Sequence, residues 1–497
     1  MGKKTVILLL LILLIAAFFR LWDLKNTPPG LYPDEAMNGN NAREALETGE
    51  WRVFYPENNG REGLFINIQA LSINFFGNKP WALRLPSAIF GILTVLGTFL
   101  LTKELFNKNS GALLAAFLMA TSFWHVNFSR IGFRAIMAPF FLVWSFFFLF
   151  KLLNKNKNNF QFLSALAGVF YGLGFHSYIA YRTTPLLILI ILYFYWFKNK
   201  EKEIRKKILF SAFYFLLFTF IAALPLGIYF LNNPADFFGR TSQISVFAAE
   251  NPLKELGLNI IKTIGMFLWA GDYNWRHNLS GEPMLWWPIG LLFLTGVIIS
   301  AKKIINKAYK KSFKETTGSP EIFLFAWIIL GLFPAIFSGE GMPHALRAII
   351  VLPPVMILIA SGANWLLGRS VSKWNKKLTA GLIFIFLAAI AIQSYWQYFY
   401  RWAPNINTYH AFSGNYKALG EWLNAQPRDL LKYVIINAEG VKARGWPMPA
   451  QTVMFITDTF SSKKQKAKNI IYLLPKEKDK IICPREKKCV IIALEND

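Results

Sequence analysis

The sequence predicts a polytopic α-helical membrane protein of about eleven transmembrane helices, with interfacial helices in its first outer loop and a small C-terminal extracytoplasmic α/β domain. Three observations predict it. Of 497 residues, 54% are apolar and only 16% charged, where a soluble chain of this length would carry about 25% charge. Apolar runs approaching the ~20 residues that cross a bilayer recur along the chain, and none alternates as barrel strands do. The polar connections between these runs alternate sharply in charge.

The runs lie near 4–20, 82–101, 111–128, 132–151, 160–178, 183–198, 208–231, 285–301, 320–337, 345–367 and 378–397. With the N-terminus cytoplasmic, six inner pieces, among them "KNKEKEIRKK" and "AKKIINKAYKKSFKE", hold 23 Lys and Arg against only Glu104, Glu201, Glu203 and Glu315. This positive-inside pattern explains much of the net charge of +26 and speaks against a nucleic-acid partner. The first run has a basic start, but no small-residue cleavage site precedes "FFRLWDLKNTPPG", so it reads as an uncleaved span. Parity then places residues 21–81, 232–284 and the tail from about 398 outside a cell membrane. The first of these loops has more acids than bases, unlike the inner pieces. The expected division is a transmembrane domain over 1–400 and an extracytoplasmic domain over 401–497.

The tail differs in composition. "NYKALGEWLNAQP" reads as a short helix ended by proline. "YVIINAEGV", "TVMFITDTF", "NIIYLLP" and "CVIIALE" are short β-branched and aromatic runs between polar turns, which predict strands. Both cysteines of the chain, Cys483 and Cys489, fall here; a disulfide and two free thiols are equally compatible with the spacing.

Phosphate-loop, dinucleotide-binding, zinc-protease and serine-hydrolase signatures are absent. The runs also lack the buried acid and base chains of a proton-coupled pump. Polar residues gather instead at the outer ends of spans. The first loop, "PPGLYPDEAMNGNNARE", carries Asp34, Glu35, Asn38, Asn41 and Arg43, followed by Arg61, Glu62 and Arg84. Later clusters hold His125, Asn127, Arg130 and Arg134; His176, Tyr178, Tyr181 and Arg182; Asp272, Asn274, Arg276, His277 and Asn278; and Glu340, His344 and Arg347. Single Arg, Tyr and Trp residues anchor spans at the headgroup layer. Five clusters at one level suit a site instead: cations for an anionic lipid headgroup, carboxylates for an acceptor or a metal.

"PPGLYPDEAMNGNNAREAL", "GREGLFINIQALSINFFG" and "WALRLPSAIFGILTVLGTFLLTKELF" resemble the start of protein-mannosyltransferase-like membrane glycosyltransferases of the C-type superfamily. "GDYNWRHNLSGEPML" and "GEGMPHALRAIIVLPPVMILIA" resemble later motifs of its bacterial members. The resemblance covers roughly residues 5–400 and leaves the tail uncovered. It implies an inverting glycosyltransferase acting at the extracytoplasmic face on a polyprenyl-phosphate sugar, with the catalytic carboxylate at the pair matching Asp34 and Glu35. Many relatives have Lys-Pro-Pro where this chain has Arg61-Glu62-Gly63, so the cation is kept and the rigid proline pair is lost.

The chemistry of the residues agrees. Displacement at an anomeric carbon needs a base on the acceptor hydroxyl and charge stabilisation on the departing phosphate. Asp34 suits the first role. Arginines suit the second, because a guanidinium grips phosphate bidentately and keeps its charge; Arg61 and Arg347 lead, followed by Arg84, Arg276 and His344. Asp272, Asn274, His277, Asn278 and Tyr181 are expected at the sugar or acceptor, with a structural loop lock as the competing role of the Asp272–Asn278 cluster. Asp34 could also cap an interfacial helix, "DEAMNGNNAREALETG", with Glu35 in its first turn. Glu35 could orient the acceptor, help bind a divalent cation or cap; no cofactor is otherwise implied. The acceptor is a protein, glycan or lipid hydroxyl. A lipid-linked-sugar transporter or flippase and a non-catalytic membrane scaffold are the competing classes; the first would need polar groups through the membrane, and few exist.

Overall fold

The computed structural model describes residues 2–496 except 155–158, 199–200, 244, 311–318, 371–374 and 486–487. The inner pieces expected at 151–159, 198–207, 301–315 and 368–377 therefore lie partly outside the described residues. The chain forms two compact units: Met1–Trp22, Ser87–Ser129 and Arg134–Tyr398 make the first, and Asp23–Pro86, Arg130–Phe133 and Phe399–Asp497 the second.

Among the described residues, eight helices are long and apolar enough to cross a membrane: Lys3–Leu21 (α1), Pro80–Phe106, Arg134–Leu152, Ile179–Phe197, Lys202–Asn232, Trp287–Tyr309, Ile349–Arg369 and Lys376–Trp402. Each coincides with an expected run. The remaining three runs form the shorter apolar helices Asn109–Thr121, Phe160–Gly174 and Pro320–Ile336. The run expected over 111–128 is broken, because the helix stops at Thr121 and Ser122 caps a new one, Phe123–Phe128, by accepting the His125 N–H at 3.4 Å. Arg20, buried near the end of α1, explains why a charge is tolerated here. Its guanidinium donates to the carbonyls of Met119 and Ala120 at 3.1 and 2.9 Å, the orphan acceptors at the C-terminus of the helix Asn109–Thr121.

The second unit begins with the first outer loop. Its interfacial helix, Pro33–Thr48 (α2), starts at Pro33 because proline's fixed φ and missing N–H suit the first helical position. It ends at Gly49, whose φ of 77° supplies the left-handed C-terminal turn. Asp34 is therefore not the N-cap considered from the sequence; Tyr32 is, and Asp34 sits in the first turn. A hairpin of two-residue strands, Phe54–Tyr55 (β1) and Arg61–Glu62 (β2), leads to a second helix, Gly63–Phe76 (α3). Leu31, Ala36, Ala42, Tyr55, Ile66 and Phe455 share one buried core in this unit.

The tail forms a three-stranded parallel sheet in the order Ile470–Leu473 (β6), Leu431–Ile436 (β3), Cys489–Leu494 (β7). A two-stranded ribbon, Lys442–Ala443 (β4) with Trp446–Pro447 (β5), lies between β3 and β6 in sequence. "NYKALGEWLNAQP" supplies the expected helix, Gly414–Ala425. "TVMFITDTF" does not form the expected strand: it lies in the helix Pro449–Thr457 and the turn after it. Pro449 opens that helix, and burial on several faces, from Ala450, Val453 and Met454 in the tail core to Phe455 in the outer-loop core, overrides β-branched propensity. Cys483 and Cys489 are free thiols, and their mutual hydrogen bond, with burial and charge repulsion behind it, pushes Cys489 up to about 11.

Candidate functional site

The acid pair divides at the start of α2. Glu35 is fully buried, and its carboxylate is saturated. Arg84 donates to Oε1 at 3.0 Å and to Oε2 at 3.1 Å, the Gly132 N–H donates to Oε1 at 2.7 Å, and the Tyr32 N–H donates to Oε2 at 3.3 Å. The last bond is half of a capping box, a third-position glutamate reaching back to the cap. Asp34, one residue earlier, is only half-buried. Among the described residues its Oδ1 accepts one hydrogen bond, from Asn58 Nδ2 at 2.8 Å. The helix turns one carboxylate into packing and leaves its neighbour reachable.

Arg84 completes the packing side. It is fully buried and also donates to the carbonyls of Pro28 and Gly30, at 2.6 and 3.1 Å. This departs from the phosphate-binding role expected of Arg84: its donors serve Glu35 and the chain leading to α2. Gly30 sits at φ 62°, where an added Cβ would run into the Phe412 carbonyl, so the "PPG" step needs glycine there. Arg61, also expected at phosphate, is 2% exposed and spans from β2 to α2. Its Nη1 and Nη2 donate to Asn38 Oδ1 and Asn41 Oδ1, both at 2.7 Å. The guanidinium thus presents its two-pronged edge to a pair of amides one turn apart on α2.

Two contributors were missed by reading the sequence. Asn58 touches Asp34, and "NNG" at 58–60 is the turn signal that could have revealed it: Asn58, Asn59 and Gly60 all have positive φ between β1 and β2. Arg444 is the other. Its Nη1 and Nη2 grip Glu44 at 2.6 and 2.7 Å, and its Nε and Nη2 reach Glu57 Oε1 at 3.0 and 2.8 Å. Arg444 and Gly445 form the turn between β4 and β5, with φ of 51° and 84°. Burial alone would raise the Glu57 carboxyl, but hydrogen bonds from Arg444 and its own backbone, with the charges of Arg444 and Arg61, hold it below its ordinary value.

The first unit holds a second polar cluster, in the loop after residue 270 and the segment before the helix Ile349–Arg369. Asp272 is 2% exposed. Its Oδ1 accepts the Asn274 N–H at 2.8 Å, and its Oδ2 accepts His277 Nδ1 at 2.9 Å and the Ala345 N–H at 2.8 Å. His344 Nδ1 lies 3.9 Å from the same oxygen. Asn278 Nδ2 donates to the carbonyls of Asp272 and Glu282, and Asn274 Oδ1 accepts the Arg276 N–H. These bonds close the loop on itself, which is the locking role weighed for this cluster. Arg347 Nη1 donates to the Ser338 hydroxyl and to the Glu340 carbonyl at 2.8 Å. The Arg276 carbonyl accepts Asn127 Nδ2 at 2.8 Å. Tyr181 departs from its expected place at the sugar: it is fully buried, 5.5 and 5.3 Å ring to ring from Tyr171 and Phe175.

Residues 64–226 match the family described as dolichyl-phosphate-mannose-protein mannosyltransferase. Over 128 residues the chain is 34% identical to YkcB of Bacillus subtilis (strain 168), to which a mannosyltransferase activity is provisionally assigned. That match spans 25% of this chain and 17% of the relative's length. Among solved structures, ArnT from Cupriavidus metallidurans bound to undecaprenyl phosphate shares the fold with a TM-score of 0.56 at 14% identity, over 92% of this chain and 85% of ArnT. Its apo form gives 0.51 at 12% identity, over 95% and 89%. The chain is thus a multi-pass membrane protein that shares the ArnT fold, and within it residues 64–226 carry the match to the dolichyl-phosphate-mannose-protein mannosyltransferase family.

Proposed function

We propose that this chain moves a sugar from a polyprenyl-phosphate carrier to an acceptor hydroxyl at the extracytoplasmic face of a cell membrane, with Asp34 as general base. The observation that carries the proposal is the contrast within one helical turn: Glu35 is buried and saturated, while Asp34 is reachable and fixed by a single bond from Asn58. A base must meet its substrate's proton within hydrogen-bond reach, and a carboxylate held by one neutral donor stays able to accept it. The acceptor oxygen attacks the anomeric carbon and passes its proton to Asp34. The bond from that carbon to the phosphate oxygen breaks with its electron pair, and polyprenyl phosphate departs. One displacement inverts the sugar centre.

Glu35, Arg84 and Arg61 act in this reading by positioning α2 and the hairpin. Arg347, Arg276 and His344 retain the phosphate-binding role on chemical grounds, as anion-pairing side chains expected outside the membrane. The donor class is supported by the family matched over residues 64–226 and by the undecaprenyl phosphate bound by ArnT. It is also supported by an apolar groove of ≈ 250 Å³ within the first unit, lined by Leu118, Leu292, Leu366, Leu382, Phe386 and Ile390, which suits an isoprenoid chain.

The test is consumption of radiolabelled polyprenyl-phosphate sugars, presented as a panel to the purified protein in lipid. Release of polyprenyl phosphate from one donor, with label appearing in water or an acceptor, supports the reading. Failure to consume any donor when membrane extract supplies the acceptor contradicts it.

A further inference from the structure

We propose that Asp272, His277 and His344 form a binding site for one divalent transition-metal ion of the zinc class. One ligand atom from each of the three lies within 4.8 Å of the others. His277 Nδ1 and His344 Nδ1 stand 2.9 and 3.9 Å from the same Asp272 oxygen. Zinc binds imidazole nitrogen and carboxylate oxygen at about 2.0–2.2 Å, so two ligands of one tetrahedral ion sit roughly 3.3 Å apart. The observed spacings bracket that value, and small side-chain rotations would bring all three atoms to it.

The donor set selects the metal. Two imidazoles and one carboxylate suit zinc and its neighbours, whereas magnesium and calcium prefer oxygen alone. Three protein ligands also leave a fourth position for water or an anionic oxygen. The surroundings are built to hold the ligands still. Asp272 and His277 are 2% and 5% exposed, and the imidazoles of His277 and His344 lie 4.9 Å apart at 36°. The Asn274 and Ala345 N–H bonds orient the Asp272 carboxylate, and Asn278 ties the turn that carries it. Such fixing of metal-binding side chains by surrounding hydrogen bonds lowers the ordering needed on binding. His277 would bind through unprotonated Nδ1, its proton residing on Nε2, so the ion replaces the present hydrogen bond to Asp272. The ion would fasten the loop carrying Asp272 and His277 to the segment carrying His344, and its binding needs no sugar donor.

The experiment uses full-length, tag-free protein in detergent, stripped with chelator and incubated with zinc alone, without any donor. Elemental analysis after removal of free metal should give about one zinc per chain for the wild type. Cobalt in place of zinc should produce visible absorption bands of a low-coordinate nitrogen–oxygen site. His344→Gln and His277→Gln should each lose most of the bound metal and the bands, while His410→Gln, altering a histidine of the second unit, should keep both. A wild type that binds no stoichiometric zinc overturns the proposal, as does full retention of metal in both His277→Gln and His344→Gln. If either substitution prevents folding, the wild-type cobalt spectrum decides: absence of bands at stoichiometric cobalt refutes the site. Because nothing here depends on turnover, its failure leaves the transferase reading untouched.

Discussion

The loop carrying Asp34 and the loop carrying Asp272 both present a carboxylate on a short polar turn, yet they use it oppositely. Asp272 gathers two backbone N–H groups and an imidazole, so its charge is spent on holding two segments together. Asp34 accepts a single side-chain amide while its neighbour Glu35 takes the burden of packing. A carboxylate that organises structure is buried and saturated. One that can receive a proton is fixed but left accessible. Adjacent acids in one motif can therefore have separate duties, and burial assigns them.

The comparison is most severely tested where packing should be lost. Arg84→Ala would leave Glu35 buried without its cation, which costs about 3–5 kcal/mol. Thermal unfolding of the purified protein should shift far downward, and Arg84→Lys should recover only part, since lysine cannot reproduce the fork. An unchanged unfolding temperature would show that Glu35 does not carry the loop.

Arg444 should have a smaller effect, and on turnover. It is joined to Glu57, whose own loop carries the Asn58 that fixes Asp34. With 34% exposure its ion pairs are worth only about 1 kcal/mol each. Arg444→Ala should lower kcat by a few-fold to about tenfold with donor KM unchanged, and Arg444→Lys should restore part of the loss. Equal loss with Arg444→Lys and Arg444→Ala, or a change in KM alone, would separate the tail from the placement of Asp34. The same clamp has a pH signature. The Glu57 carboxyl is depressed in the folded protein, so its contribution is present above its unfolded value of about 4.3 and is lost as pH falls through the folded value. The wild type should lose unfolding temperature over that acidic interval more steeply than a Glu57→Gln variant.

The smallest effect belongs to Tyr181. Its hydroxyl is buried and has no hydrogen-bond partner among the described residues, a condition that costs rather than stabilises. Tyr181→Phe should leave transfer unchanged and stability equal or higher by up to ~1 kcal/mol. Reduced affinity for sugar or acceptor would instead return Tyr181 to the site.

Much of this was legible from the sequence. Spans and their order follow from hydropathy, since bilayer length and backbone satisfaction leave few alternatives. The acids of "PDEA" placed the start of α2 within one residue of Pro33, because carboxylates suit a first turn. The division between Asp34 and Glu35 was not legible, because Arg84 and Gly132 meet Glu35 from 49 and 97 residues away. The employment of Arg61 by Asn38 and Asn41 was hidden for the same reason, although all three residues belong to one stretch of loop. "TVMFITDTF" misled because local β propensity carries no knowledge of burial on several faces, and Phe455 helps fill the core beneath the outer loop.

The central claim is that Asp34 takes the acceptor's proton. Its most direct test is single-turnover transfer from the consumed polyprenyl-phosphate sugar, comparing wild type with Asp34→Asn while measuring donor binding in the same samples. Asparagine keeps the size and can still meet Asn58, so the fold and donor binding should persist while transfer falls by about 10²–10⁴-fold. Transfer at near wild-type rate by Asp34→Asn, with donor bound as before, would contradict the account.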